Sequence, residues 1–254
     1  MNRNSFFSVR NMTDDRAEIY IYGDIVSSDW EKWSENDVCP VDIKNAIDSV
    51  GSRNADIHIY SAGGSVFAGE AIRNMLSRLT GHKRVYIDGL AASIASAIAM
   101  CYDELHISEG SYMVIHNPST QIWGTAEDLR KAADTLDMIN GTIIEVYSQK
   151  AADSFDTSLL DSMLNEETWL TVKDVCAMFK NAVLDNSRAY ISDSIDNKML
   201  KYFNRLPGDI ILPSASAADE NEADEMRLQM ECERLKNELR IKKLSDSLRP
   251  QKLI

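Results

Sequence analysis

Four short runs rich in Ile, Val and Tyr constrain this chain most: AEIYIYGDI at 17–25, DIHIY at 56–60, RVYID at 84–88 and ELHIS at 104–108. Each reads as a strand. Between the second and third lies VFAGEAIRNMLSRLTGH (66–82). There Ala68, Ala71, Ile72, Met75, Leu76 and Leu79 recur at helical spacing, and Gly81 supplies a stop. Strand, helix and strand in alternation predict a layered α/β domain with parallel pairing and right-handed crossovers. After RVYID comes GLAASIASAIAM (89–100), almost wholly small or aliphatic, which reads as a buried helix. The weakly polar run from Leu90 to Tyr102 is too short to cross a bilayer.

A longer helix is predicted from Thr125 to about Lys150. Thr125 is its N-cap, and Glu127 and Asp128 in the first turn complement the dipole. Leu129, Ala132, Ala133, Leu136, Ile139, Ile143 and Val146 form an apolar stripe along it. The stripe suits either packing against another subunit or lying on its own domain. Beyond the first domain (1–205), LPGDIILPSASAADENEADE marks a linker over 206–225 with prolines, small residues and an acidic cluster. The tail, 226–254, places Leu228, Cys232, Leu235 and Leu239 at alternating spacing over less than two heptads, so a short, separately moving helix is expected.

The 254 residues, 44% of them hydrophobic, suffice for one sizeable core and a smaller appendage. A formal charge of −13 disfavours nucleic acid or an anionic membrane as partner, since phosphate binding needs a basic face. The start, MNRNSFFSVRNMTDD, has no apolar core of signal-peptide length. Cys39, Cys101, Cys176 and Cys232 are scattered, with no CxxC pair and no histidine at ligand spacing. They read as reduced thiols of a cytoplasmic protein rather than a zinc site or disulfide frame.

Three segments carry chemistry. In YSAGGSVFAGEAI (60–72), Gly63 and Gly64 fall between a strand and a helix, where backbone N–H groups can approach a ligand closely. In DGLAASIA (88–95), Ser93 occupies a strand-to-helix junction, the edge at which open α/β folds keep their sites. Ser96 lies about one turn deeper and can bond back to its own helix, which makes Ser93 the candidate nucleophile. In SYMVIHNPST (111–120), His116 ends an apolar strand, and Pro118 turns the chain out of the core. Of His58, His82, His106 and His116, only the last precedes a turn with small polar surroundings.

In this order SAGGSVFAG, GLAASIA and MVIHNPS resemble the ClpP peptidase family, the caseinolytic serine proteases. The resemblance spans roughly residues 17–187, and GTAEDLRKAADTLDMI beside MVIHNPSTQIWG looks most like the phage and prophage head-maturation branch. It implies a spiral of β-α-β units with a long protruding handle helix, Ser93 as nucleophile and His116 as general base. It also implies an oxyanion hole from the N–H groups of Gly63, with Gly64 beside it, and Ile94. The third member falls in NEETWLTVKDV (165–175), where Glu167 takes the place of the family's aspartate, and Glu166 and Asp161 are competitors. Such chemistry requires no metal and no organic cofactor.

The resemblance further implies stacked homo-oligomeric rings that act on protein or peptide substrates. In the phage branch these would be capsid, portal or scaffold proteins, cut without an ATPase. In the housekeeping branch an ATP-driven AAA+ unfoldase would feed the chamber. Three departures stand out: Ala62 replaces the usual proline, Glu167 the usual aspartate, and FKNAVLDN (179–186) lacks the usual glycine. Two other readings remain, a crotonase-like enzyme acting on acyl-CoA thioesters and a catalytically silent ring.

Overall fold

A computed structural model describes residues 13–185. The four expected strands are β1 (Arg16–Tyr22), β2 (Asn54–Ser61), β3 (Lys83–Ala92) and β4 (Glu104–Ser108). Three more follow: β5 (Tyr112–Ile115), β6 (Thr168–Leu170) and β7 (Ala182–Asp185). The helices are α1 (Pro40–Val50), α2 (Val66–Ser77), α3 (Ile94–Ala99), α4 (Ala126–Lys150), α5 (Leu160–Asn165) and α6 (Val172–Met178). The sheet runs β1-β2-β3-β4-β7 with every pair parallel, as the alternation predicts. No helix among the described residues is long and apolar enough to cross a membrane. The linker expected at 206–225, the tail at 226–254 and Cys232 lie outside the described residues.

Period-two burial fixes which sheet face holds the core. Ile19, Ile21, Ile57, Ile59, Val85, Ile87, Leu105 and Ile107 are all fully buried, together with Ile43 and Val50 of α1 and Ile72 and Leu76 of α2. The alternate positions carry Tyr20, His58, Tyr86 and His106. These rings stack in a row across four strands with centroids 4.7, 4.8 and 4.7 Å apart, which is the spacing of the strands themselves.

β3 serves two layers. Its first half, Arg84–Ile87, pairs with β4, whereas Leu90–Ala92 pairs with β5. Between them the β2–β3 register slips, from Ile59 opposite Ile87 to Ser61 opposite Ala91. A Cβ on Gly89 would lie 3.1 Å from the Tyr60 ring, so any larger residue at the bend requires that ring to shift by a few tenths of an ångström. Here the sequence reading is corrected: residues 89–92 continue the strand, and only Ile94–Ala99 is helical within the expected 89–100 helix. Ala91 is laddered to Ser61 on one side and Met113 on the other, and backbone pairing on both edges outweighs alanine's helix propensity.

α4 begins where expected, with a reciprocal cap between Thr125 and Asp128. Its stripe divides. Ile143 and Val146 are buried in the core while Leu129 is 47% exposed; outside the stripe, Tyr147 is buried and Met138 is 70% exposed.

Candidate active site

β5 is the element that gathers the site. It runs parallel to β3, with Ala92 opposite Val114, so Ser93 emerges beside it and donates its N–H to the Val114 carbonyl at 2.9 Å. It runs antiparallel to β6, with Ile115 opposite Thr168. One further step of that register sets His116 against Glu167. Their side chains meet, Glu167 Oε2 lying 3.6 Å from His116 Nδ1. That is an ion-pair distance, longer than a hydrogen bond, and such contacts in unliganded sites tighten once substrate binds. Glu167 is nearly buried and His116 partly so. The turn between them is tied twice more. Asn117 N–H donates to the Leu164 carbonyl at 3.2 Å, and Asn117 Nδ2 donates to Asn165 Oδ1 at 2.6 Å.

Of the competing acids, Glu166 is exposed at the end of α5, and Asp161 accepts from Asn165 Nδ2 at 3.2 Å. Among the described residues neither pairs with His116. The other histidines have structural partners. His58 Nδ1 lies 2.8 Å from Asp88 Oδ2 but is sandwiched between the rings of Tyr20 and Tyr86, and His82 and His106 both contact Glu104.

Ser93 has φ 53° and ψ −131°, in the left-handed half of the map that serine rarely enters. Strain of about 1–3 kcal/mol persists only where the surroundings enforce it, and a strand-to-helix elbow of this kind projects the hydroxyl outward. Ser93 is partly exposed, whereas Ser96 is fully buried. The Ser96 hydroxyl lies 2.5 Å from the Ser93 carbonyl, 3.2 Å from that of Val114 and 2.8 Å from the Tyr147 hydroxyl, so it cannot meet an external substrate.

The glycines explain how the elbow is accommodated. Gly63 has φ +103°, and a Cβ there would lie 2.7 Å from Ser93 Cβ, 2.8 Å from the Ala92 carbonyl oxygen and 3.3 Å from the Ile94 nitrogen. Gly63 therefore packs directly on the elbow. Its N–H donates to Ser61 Oγ at 3.1 Å, an engagement the sequence reading did not anticipate. Gly64 is exposed. Ile25 N–H donates to the Gly63 carbonyl and Ser65 N–H to the Ile25 carbonyl, both at 2.7 Å. In a parallel ladder this pattern turns the N–H of the intervening residue, Gly64, away from Ile25. The Ile94 N–H opens α3, one of the helix's donors without an intrahelical acceptor.

Gly63→Ala is expected to displace Ser93 and lower any hydrolytic kcat by about 100-fold or more. Gly110→Ala is the control for a positive φ alone. Gly110 has φ +82° but open space around its would-be Cβ, so that variant keeps its activity. Equal activity of the two proteins in a steady-state assay would contradict the packing argument.

Sequence reasoning missed Ser61, whose partner Gly63 is two residues on, and Tyr147, Asn117 and Asn165, whose partners come from distant elements. One cluster with metal-ligand chemistry exists among the described residues, Asp29, Cys39 and Asp42. Lys32 Nζ already sits 2.8 Å from Asp29 and 2.6 Å from Asp42, so an internal ammonium supplies the positive charge.

The Clp protease family profile matches residues 36–178, more than half of the chain. ATP-dependent Clp protease proteolytic subunit 1 of Protochlamydia amoebophila is 31% identical over 121 residues, covering 46% of this chain and 57% of that protein. The ATP-dependent Clp protease proteolytic subunit of Bacteroides fragilis is 27% identical over 131 residues, 50% of this chain and 62% of that protein. Subunit 2 of Thermobifida fusca is 29% identical over 138 residues, 53% and 67% respectively. The chain thus spans less than two thirds of the first two relatives. With a profile match of that extent, lying over the glycine pair, the serine elbow and the His–Glu pair, the chain belongs to the Clp protease family.

Proposed function

We propose that this protein is a serine endopeptidase in which Ser93 attacks the scissile carbonyl. His116 Nδ1 faces Glu167, which leaves Nε2 to take the Ser93 proton as the C–O bond forms. The same nitrogen then returns the proton to the departing amine. Water, activated in the same way, hydrolyses the acyl-enzyme. The oxyanion is held by the N–H groups of Ile94 and Gly64, Gly63 serving to seat the elbow while its own N–H is bound by Ser61. The observation that carries this reading is the pair of registers through β5, which draws three separated sequence segments to one strand end.

The finer reading is a head-maturation peptidase of the phage or prophage branch, supported by the run from Met113 to Ile139. Its substrates would be capsid, portal or scaffold proteins, and it would assemble as stacked rings with the exposed half of α4 as the inter-ring arm. The names of the relatives favour a second reading, a proteolytic subunit served by an ATPase. One experiment separates the two. The protein is co-expressed with candidate phage capsid and scaffold proteins, and new termini are mapped. Defined cuts without an unfoldase support the first reading. Degradation that requires an added AAA+ unfoldase and ATP supports the second, and no cleavage in either arm overturns the peptidase assignment.

The domain division is part of the same proposal. Deleting residues 215–254 should leave the oligomeric mass per subunit count and the specific activity unchanged in light scattering and peptide hydrolysis. Loss of assembly would place the tail within the folded domain.

A further inference from the structure

Behind the serine elbow, and outside the chemistry just described, lies a buried chain of two hydroxyls. Tyr147, on the core-facing part of α4, is 1% exposed and Ser96 fully buried. Burial raises the Tyr147 phenol above its ordinary pKa, so it stays a neutral O–H. Ser96 Oγ sits between two carbonyl oxygens, those of Ser93 at 2.5 Å and Val114 at 3.2 Å, and 2.8 Å from Tyr147 Oη. Carbonyls only accept, so the single Ser96 proton goes to one of them, and the nearer is Ser93. Tyr147 must then donate to Ser96.

The Ser93 carbonyl receives two donors in all, since Ser96 N–H also reaches it at 3.0 Å. That carbonyl shares a planar peptide unit with the Ile94 N–H, and no peptide among the described residues is cis. In a trans peptide the two groups point in opposite directions. Pulling the carbonyl into the core therefore aims the N–H outward, towards the position of a developing oxyanion. Donation to the carbonyl also polarises the unit and strengthens its N–H as a donor. The Ile94 side chain fixes the same unit from its other end, packed where a Cβ on Gly69 would lie 2.2 Å from Ile94 Cγ1.

We infer that Tyr147 and Ser96 are positioning residues that aim and polarise the Ile94 N–H for oxyanion stabilisation, acting in series from α4. The inference rests on the peptidase reading and adds to it a contribution from a helix that supplies no catalytic group. Removing an oxyanion donor outright costs about 10²–10³ in kcat. Losing its alignment costs part of that.

The test compares Tyr147→Phe, Ser96→Ala and the double variant in the full chain. The readouts are kcat and KM on a fluorogenic peptide, the pH profile, and the rate of Ser93 phosphonylation by a fluorophosphonate. We expect kcat and phosphonylation to fall about tenfold in Ser96→Ala and about threefold in Tyr147→Phe, with KM and the pH profile unchanged. Because Tyr147 acts through Ser96, the double variant should match Ser96→Ala. Should Ser96→Ala fail to assemble, Tyr147→Phe, which removes one oxygen atom, decides alone. Variants as fast as the parent overturn the inference, as does a change in KM only or losses that multiply in the double variant. A parent that neither hydrolyses peptide nor reacts with the probe overturns the peptidase reading itself, and this inference with it.

Discussion

Ser93→Ala is expected to lower kcat for peptide hydrolysis by about 10⁶-fold, the scale found when a serine nucleophile is deleted from a three-residue hydrolase unit. The magnitude follows from what the substitution leaves. The glycine pair, the Ile94 N–H and the imidazole all remain, so substrate binds and is polarised, but no covalent acyl-enzyme can form. KM should stay within about twofold if binding precedes chemistry. Alanine also relieves the elbow only partly, since a Cβ at φ 53° remains disfavoured and the fold remains close to the parent's in stability. The measurement is steady-state hydrolysis of a fluorogenic peptide alongside thermal melting. Ser96→Ala provides the contrast, because its hydroxyl is buried beneath the elbow and its loss should cost only about tenfold.

Glu167→Gln should cost about 10⁴-fold in kcat with little change in KM. The carboxylate faces His116 Nδ1; in the proposed mechanism it holds the proton on that nitrogen, frees Nε2 as a base and stabilises the imidazolium formed during attack. The amide is nearly isosteric but can donate to Nδ1 as well as accept, which favours the unproductive tautomer and removes the compensating charge. The 3.6 Å separation has a consequence for the longer arm. A glutamate reaches this far from a residue held at φ 53°, next to a strand end fixed by the β5–β6 register. Glu167→Asp should therefore restore part of the loss, by about tenfold over Glu167→Gln, since the charge returns at a greater distance. Glu166→Gln and Asp161→Asn should leave kcat within about twofold. If either of these variants matched Glu167→Gln, the third member of the catalytic unit would have to be reassigned.

Much of the parallel sheet was legible because its strands are buried on one face and alternate cleanly, as in DIHIY and RVYID. α2 and α4 were legible for the same kind of reason: long helical periodicity with a cap or a stop at the end. What periodicity could not show was the change of partner within β3. Nothing in GLAA distinguishes a buried helix start from a strand that leaves β4 for β5, because alanine suits both and the choice is made by Tyr112–Val114. β6, only three residues long, is likewise defined by its neighbour rather than its own composition.

The site divides along the same line. Ser93 and His116 stand at junctions that turn chemistry marks in the sequence. The Tyr147–Ser96 chain depends on a contact that no local pattern encodes. It joins a hydroxyl on α3 to one on α4, 51 residues apart in sequence. The resemblance implies Gly63, with Gly64 beside it, and Ile94 as oxyanion donors; the structure adds that the Gly63 N–H donates to Ser61 Oγ.

The most direct measurement is the mass of the assembled protein after exposure to a fluorophosphonate, with the modified peptide sequenced. One adduct per chain on Ser93, absent in Ser93→Ala and formed far more slowly in His116→Ala, is the predicted result. An assembled, folded protein that takes up no label, or is labelled at another residue at the same rate with and without His116, would contradict the joining of these groups into one catalytic unit.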